Sequence, residues 1–148
     1  MWEVVSWYDG KKLNKNPEVA GRWSFMKGEI MCIIHNRNDP KNHTSIIGWG
    51  KGSVSNGEFK YAYTELLNLE GSEKNTVRDH SPPWGGMRKF KVEIKGDGVI
   101  MKTQSGKQTW EVTKRNMVFT NTESGKDKIF VQRKWKRIAS ISKVSSFQ

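Results

Sequence analysis

The sequence predicts an all-β protein, a single antiparallel up-and-down β-barrel of about eight to ten strands, and three observations carry that expectation. Turn signals recur at Asp9-Gly10, Asn56-Gly57, Gly96-Asp97-Gly98, Ser105-Gly106 and Ser124-Gly125, pairs and triplets that favour tight hairpin connections. Between them lie short runs rich in Val, Ile, Thr and aromatic residues, the composition of pleated, half-buried chain. Finally, no window holds a helical stripe of useful length. Even Tyr63 to Leu69 continues an alternation that begins at Phe59 and stops before Gly71, and so reads as strand.

The candidate strands in chain order are Trp2 to Tyr8, Val19 to Met26, Glu29 to Asn36, Ile46 to Val54, Phe59 to Leu69, Thr76 to Asp79, Met87 to Ile94, Val99 to Thr103, Gln108 to Thr113, Met117 to Asn121 and Ile129 to Arg137. They are consecutive and mostly hairpin-linked, and closing them into a barrel removes the unpaired edges that template aggregation. Two stretches lack strand character, Asn36 to Thr44 and Ser81 to Gly86 with its Pro82-Pro83-Trp84, and are expected as mouth loops. One domain over residues 1–138 and a frayed, serine-rich tail over 139–148 complete the organisation.

Side chains on a strand alternate with period two, so each run divides into faces. Arg88, Phe90, Val92 and Ile94 share the apolar face of their strand against Lys89, Lys91 and Glu93. Counting by twos through Phe59, Tyr61, Tyr63, Glu65, Leu67 and Leu69 places Glu65 among aromatics. In the last strand Ile129, Val131, Arg133, Trp135 and Arg137 fall together, and Gln108, Trp110 and Val112 do so further upstream. The run Glu29 to Asn36 is apolar on both faces and leaves the direction of His35 open. An interior holding Glu65, Arg88 and Arg133 must be paired, wet or shaped for a polar ligand, because an unpaired buried charge costs several kcal/mol. An Arg88–Glu65 ion pair and a ligand contact are the two alternatives.

The opening Trp2-Glu3-Val4-Val5-Ser6-Trp7-Tyr8-Asp9-Gly10 resembles the first strand of bacterial lipocalin-like proteins of the calycin superfamily. The stretches Gly50 to Val54, Tyr63-Thr64-Glu65, Phe90 to Asp97 and Lys134 to Ile138 are similar in kind and order to that family's remaining strands. The resemblance implies a lipocalin-like barrel that binds small molecules. It also implies that Trp2 packs under an arginine of the last strand, Arg133 or Arg137, closing the floor.

Other chemistry is largely excluded. The three histidines, His35, His43 and His80, have no Cys or carboxylate at ligand spacing, so no metal is expected, and no cofactor is implied. Gly48-Trp49-Gly50-Lys51-Gly52-Ser53 lacks the spacing of a phosphate loop and reads as glycine-rich strand. Asp79-His80-Ser81 cannot act as a triad, since neighbours on extended chain point apart. Cys32, the one cysteine, sits in the apolar run Ile30 to Ile34 and reads as a small hydrophobe. Without disulfides, a leader or a membrane-length apolar run, the expected location is cytoplasmic, or secreted if a leader has been removed.

The charge, 26 Lys and Arg against 15 Asp and Glu or +11 net, favours anionic partners. Its spread along the chain points to a solvated basic exterior, which argues against nucleic acid. The first functional reading is therefore binding of a small, largely apolar molecule with a polar or anionic end. Its site would comprise Tyr61, Tyr63, Glu65, Arg88, Phe90, Trp84, Trp110 and His80. The alternative is a cofactor-independent enzyme of isomerase, cyclase or lyase type in the same pocket, with Glu65 or His35 as acid/base. A nucleic-acid-binding barrel comes third. The Pro82-Pro83-Trp84 loop could serve as a lid or as the contact of a homodimer.

Overall fold

In a computed structural model the chain is all β, and no helix is present among the described residues. These are residues 1–72, 85–122 and 129–138, together with the backbone of 76–81. The strands are β1 (Trp2–Tyr8), β2 (Leu13–Lys15), β3 (Val19–Met26), β4 (Glu29–Asn36), β5 (His43–Ser55), β6 (Glu58–Gly71), β7 (Thr76–Ser81), β8 (Arg88–Lys95), β9 (Gly98–Lys102), β10 (Gln108–Val112), β11 (Asn116–Asn121) and β12 (Val131–Arg137).

Every pairing is antiparallel, and β12 returns to β1, so the sheet closes into an up-and-down barrel. The circuit has ten positions, two of them filled by broken strands. β2 pairs Ser6 to Tyr8 while β3 pairs Trp2 and Glu3 on the same edge of β1. Likewise β7 takes Leu66 to Gly71 of β6, and β8 takes Glu58 to Tyr61. The sequence missed β2, because three residues interrupted by a turn at Asn16 to Glu18 give too short an alternation to register.

Two irregularities decide which side chains enter the barrel. In β1 Val4 pairs Trp135 and Ser6 pairs Lys134, leaving Val5 unmatched. In β6 Tyr63 pairs Gly50 and Glu65 pairs Trp49, leaving Thr64 unmatched. Each extra residue shifts the alternation by one, which exchanges inside and outside beyond it. Trp7 thereby turns inward beside Arg133. Leu66 and Asn68 replace the odd-numbered residues of β6 on the inner face, and Glu65 moves to the outer face opposite exposed Trp49. The uniform alternation expected from Phe59 to Leu69 is thus corrected at Thr64.

β5 makes room for this interior by presenting glycine. Gly48, Gly50 and Gly52 are buried on its inner face. A Cβ at Gly48 would lie 2.9 Å from Leu66 and 3.0 Å from the Tyr63 ring, and one at Gly52 would lie 2.8 Å from Ile30. At Gly50 it would come within 1.9 Å of the Ala62 carbonyl oxygen, so no side chain fits beside the bulge.

The core runs through Trp2, Val4, Ile30, Phe59, Phe90, Met117 and Trp135, all nearly or fully buried. Ile94, expected inside with Phe90, is 86% exposed, because it sits at the end of β8 just before the hairpin turn at Gly96. The floor closes as the first strand's tryptophan requires: the Arg137 guanidinium lies 4.7 Å from the centroid of the Trp2 ring. Outside, Glu3 binds Arg22 at 2.9 Å and Lys136 at 2.8 Å, and Glu29 binds Lys51. The basic run Arg133 to Arg137 is divided between faces, with Lys134 and Lys136 exposed.

Candidate functional site

A cavity of about 170 Å³ lies inside the barrel. Its walls are aromatic and aliphatic: Trp23, Trp110, Phe119 and Trp135 with Ile46 and Leu66. Trp110 forms their centre, 5.4 Å from Trp23 and 4.6 Å from Phe119 between ring centroids. The polar members are Cys32, Tyr61, Tyr63, Asn68, Arg88 and Arg133. Two guanidiniums therefore line a cavity whose described lining contains neither carboxylate nor histidine.

The two arginines are held differently. Arg88 donates from Nη1 to Oε1 of buried Gln108 at 2.9 Å, and its guanidinium also reaches the Tyr61 hydroxyl. Arg133 is stacked at 4.7 Å on the Trp7 ring and has no ion-pair partner among the described residues. Its Nε is shut off from solvent and lacks a hydrogen bond among the described residues, while the residue as a whole is partly buried. Burial lowers its pKa, yet a guanidinium titrates so high that it stays charged.

The indole N–H groups of Trp23, Trp110 and Trp135 are also buried without hydrogen bonds, although Trp23 lies close to the Tyr63 hydroxyl. Several donors of the residues around the cavity thus lack an acceptor among the described residues.

Burial pushes the Tyr61 hydroxyl up, with Arg88 partly opposing, and pushes Tyr63 well above its ordinary range. Both remain neutral phenols. Burial likewise raises the Cys32 thiol, against a smaller opposing pull from Arg133, which leaves it protonated and a poor nucleophile.

Beyond this cavity, and sharing Ile46 and Asn68 with it, a wider vestibule of about 400 Å³ opens at the mouth. The loop expected there from Asn36 to Thr44 supplies Asn36, Asn38, Asp39, Asn42 and Thr44. Trp7 and Asp9 at the end of β1 face Leu69 and Glu70 of β6 across it. Asp9 accepts from the backbone of Lys11 and Lys12 and from Asn14, and Asn36 accepts from the backbone N–H of Asn38, so the rim is internally braced.

Of the residues the sequence singled out, Tyr61, Tyr63, Arg88 and Trp110 come together around the cavity. Phe90 lies behind them, stacked on Tyr61 at 5.9 Å and 10°. Glu65 is on the outer face. So is His35, since Ile30, Cys32 and Ile34 take the inner face of β4. The His35 Nδ1 hydrogen-bonds Ser45 Oγ, and its ring meets that of His43 edge-on at 5.9 Å. Burial, then Arg37 and His43, lower its pKa. The backbone of His80 pairs with Leu67; its side chain, Trp84 and the tail from Ala139 lie outside the described residues.

Sequence reasoning did not assign Trp23, Ile46, Leu66, Asn68, Phe119 or Trp135 to the site. For Trp135 the signal was present in its alternation with Arg133. For Leu66 and Asn68 it was hidden by the bulge.

Fold and site together define a ten-position β-barrel with a cationic, donor-rich interior behind a polar mouth. No family model, curated protein or solved structure matches the chain. Among the described residues, no helix is long and apolar enough to cross a membrane.

Proposed function

We propose that the barrel binds a small, largely apolar molecule by an anionic end, taken up between Arg133 and Arg88. One observation carries this reading: Arg133, a partly buried charge whose Nε has no hydrogen-bond partner among the described residues, lines a cavity whose described lining holds no carboxylate to answer it. Such a group is costly in the free protein, and an oxyanion would satisfy it together with the neighbouring indole N–H groups through charge-assisted hydrogen bonds. An apolar cavity of roughly 150 Å³ accommodates benzene, so this one matches a compact carboxylate of benzoate size. The Trp2–Arg137 stack at the floor supports placing the barrel among the lipocalin-like kind.

Binding is favoured over catalysis because Glu65 and His35, the two acid/base candidates, face away from this cavity, and the Cys32 thiol within it is held protonated. A nucleic-acid role has only the dispersed exterior charge behind it.

Titrating tryptophan fluorescence with benzoate and with neutral benzamide tests the proposal. Benzoate should bind about 10- to 100-fold tighter, the range expected for a hydrogen-bonded charge, and Arg133→Met should remove that preference. Equal affinity for the two probes, or full retention of benzoate binding by the variant, would count against it.

A further inference from the structure

The cavity and the vestibule carry opposite charge. Arg88 and Arg133 line the inner chamber, whereas Asp9, Asp39 and Glu70 line the outer one and, among the described residues, no Lys or Arg does. That is unusual placement in a chain with 26 basic residues against 15 acidic ones. Of the described cations close by in the chain, the Lys12 ammonium is held at the rim by Asn38 at 2.9 Å, and Arg37 donates to the Pro17 carbonyl at 3.3 Å.

The three carboxylates differ in what remains open to a ligand. Asp9 already accepts three hydrogen bonds in the turn after β1. Asp39 accepts one, from the backbone of Lys41. Glu70, exposed on β6, has no ion-pair partner among the described residues. The unsatisfied guanidinium of Arg133 gives the pair of chambers a direction, since it fixes where an anion must sit, and Trp7, stacked on it, stands at the threshold.

We propose that the natural ligand is dipolar: a molecule whose anionic head lies in the inner cavity and whose other end carries an ammonium that reaches the vestibule near Glu70 and Asp39. This rests on the anion-binding reading above and narrows it. An ammonium presents three donors and no acceptor, which suits carboxylates and the carboxamide oxygens of Asn36 and Asn42 beside them. A second anionic group at the same distance would instead meet those carboxylates and be repelled. The vestibule therefore sorts ligands by the sign of their far end, while the cavity fixes the near one.

Straight-chain acids from butanoate to octanoate, each compared with its ω-amino, ω-hydroxy and ω-carboxy derivative, test this by calorimetry on the whole chain at pH 7.5. At the chain length that spans both chambers, the ω-amino acid should bind about fivefold more tightly than the plain acid and the diacid more weakly, as expected for partly exposed charge pairs. The ω-hydroxy acid should fall between. Glu70→Gln, a change at an exposed position, should shrink the ω-amino preference, and Glu70→Asp should retain part of it.

If the plain acids bind but no length favours the ω-amino form over the diacid, the dipolar assignment is wrong and the anion site stands. If none of the acids binds, both fall together.

Discussion

The first and last strands meet twice through the same pair of residue types, and the two meetings differ in their surroundings. At the floor, Arg137 lies 4.7 Å over Trp2; towards the mouth, Arg133 lies 4.7 Å over Trp7. Arg137 is exposed and its charge is hydrated, so the floor contact resembles an ordinary surface cation–π pair, worth about 0.5–1 kcal/mol. Arg133 is partly buried, its Nε has no hydrogen-bond partner among the described residues, and it lines the inner cavity. The same centroid distance thus goes with a solvated cation at one end and with a partly buried one beside the cavity at the other. What separates them is hydration, not contact distance.

The floor half should respond to mutation as packed core. Phe90 is fully buried, with Tyr61 stacked at 5.9 Å and Phe59 at 6.1 Å. Removing its ring should cost about 3–5 kcal/mol, the usual penalty for deleting a buried aromatic, read as a lowered denaturation midpoint for Phe90→Ala. A loss below about 1 kcal/mol would mean that the floor is no better packed than the cavity half.

The two arginines should then move stability in opposite directions. Arg137→Met gives up a hydrated stacking contact, so stability should fall by about 0.5–1 kcal/mol. Arg133→Met removes a partly buried charge with no counter-ion among the described residues, and apolar replacement of such groups is commonly neutral or stabilising. Thermal melts of the two variants side by side, without added ligand, read the sign directly. A fall for Arg133→Met larger than that for Arg137→Met would make Arg133 a structural residue and dissolve the contrast.

Much of this architecture was legible in the chain itself. Turn pairs such as Asn56-Gly57 and Gly96-Asp97-Gly98 mark observed hairpins, and the alternation Arg88, Phe90, Val92 and that of Val131, Arg133, Trp135 give the inner face directly. The resemblance led to the Trp2–Arg137 stack, since it named Trp2 and offered Arg133 or Arg137 as its partner. What could not be read was the phase of long strands. A bulge is one residue inserted into a ladder, and it is visible only once the partner strand is in place. Thr64 is an unremarkable residue in a β-prone run, yet it determines that Asn68 lines the cavity and Glu65 does not. The vestibule was illegible for a related reason, since its carboxylates come from residues 9, 39 and 70, which only barrel closure brings together.

The smallest expected effect tests that phase shift most directly. On an unbroken alternation Glu65 would stand inside with Tyr61 and Tyr63, close enough to the arginines to oppose any anionic ligand. Its neutralisation by Glu65→Gln would then strengthen benzoate binding severalfold. With Thr64 bulged out, Glu65 instead pairs across the outer surface with Trp49, and the sheet itself separates its carboxylate from the cavity. Benzoate affinity of the variant should therefore stay within about twofold of the parent, because surface changes away from a site seldom exceed about 0.5 kcal/mol. Deleting Thr64 should leave the faces as they are. With the extra residue gone, Tyr63 opposite Gly50 and Glu65 opposite Trp49 become neighbours on a regular ladder, so Leu66 and Asn68 keep the inner face, Glu65 stays outside, and benzoate affinity should again stay within about twofold of the parent.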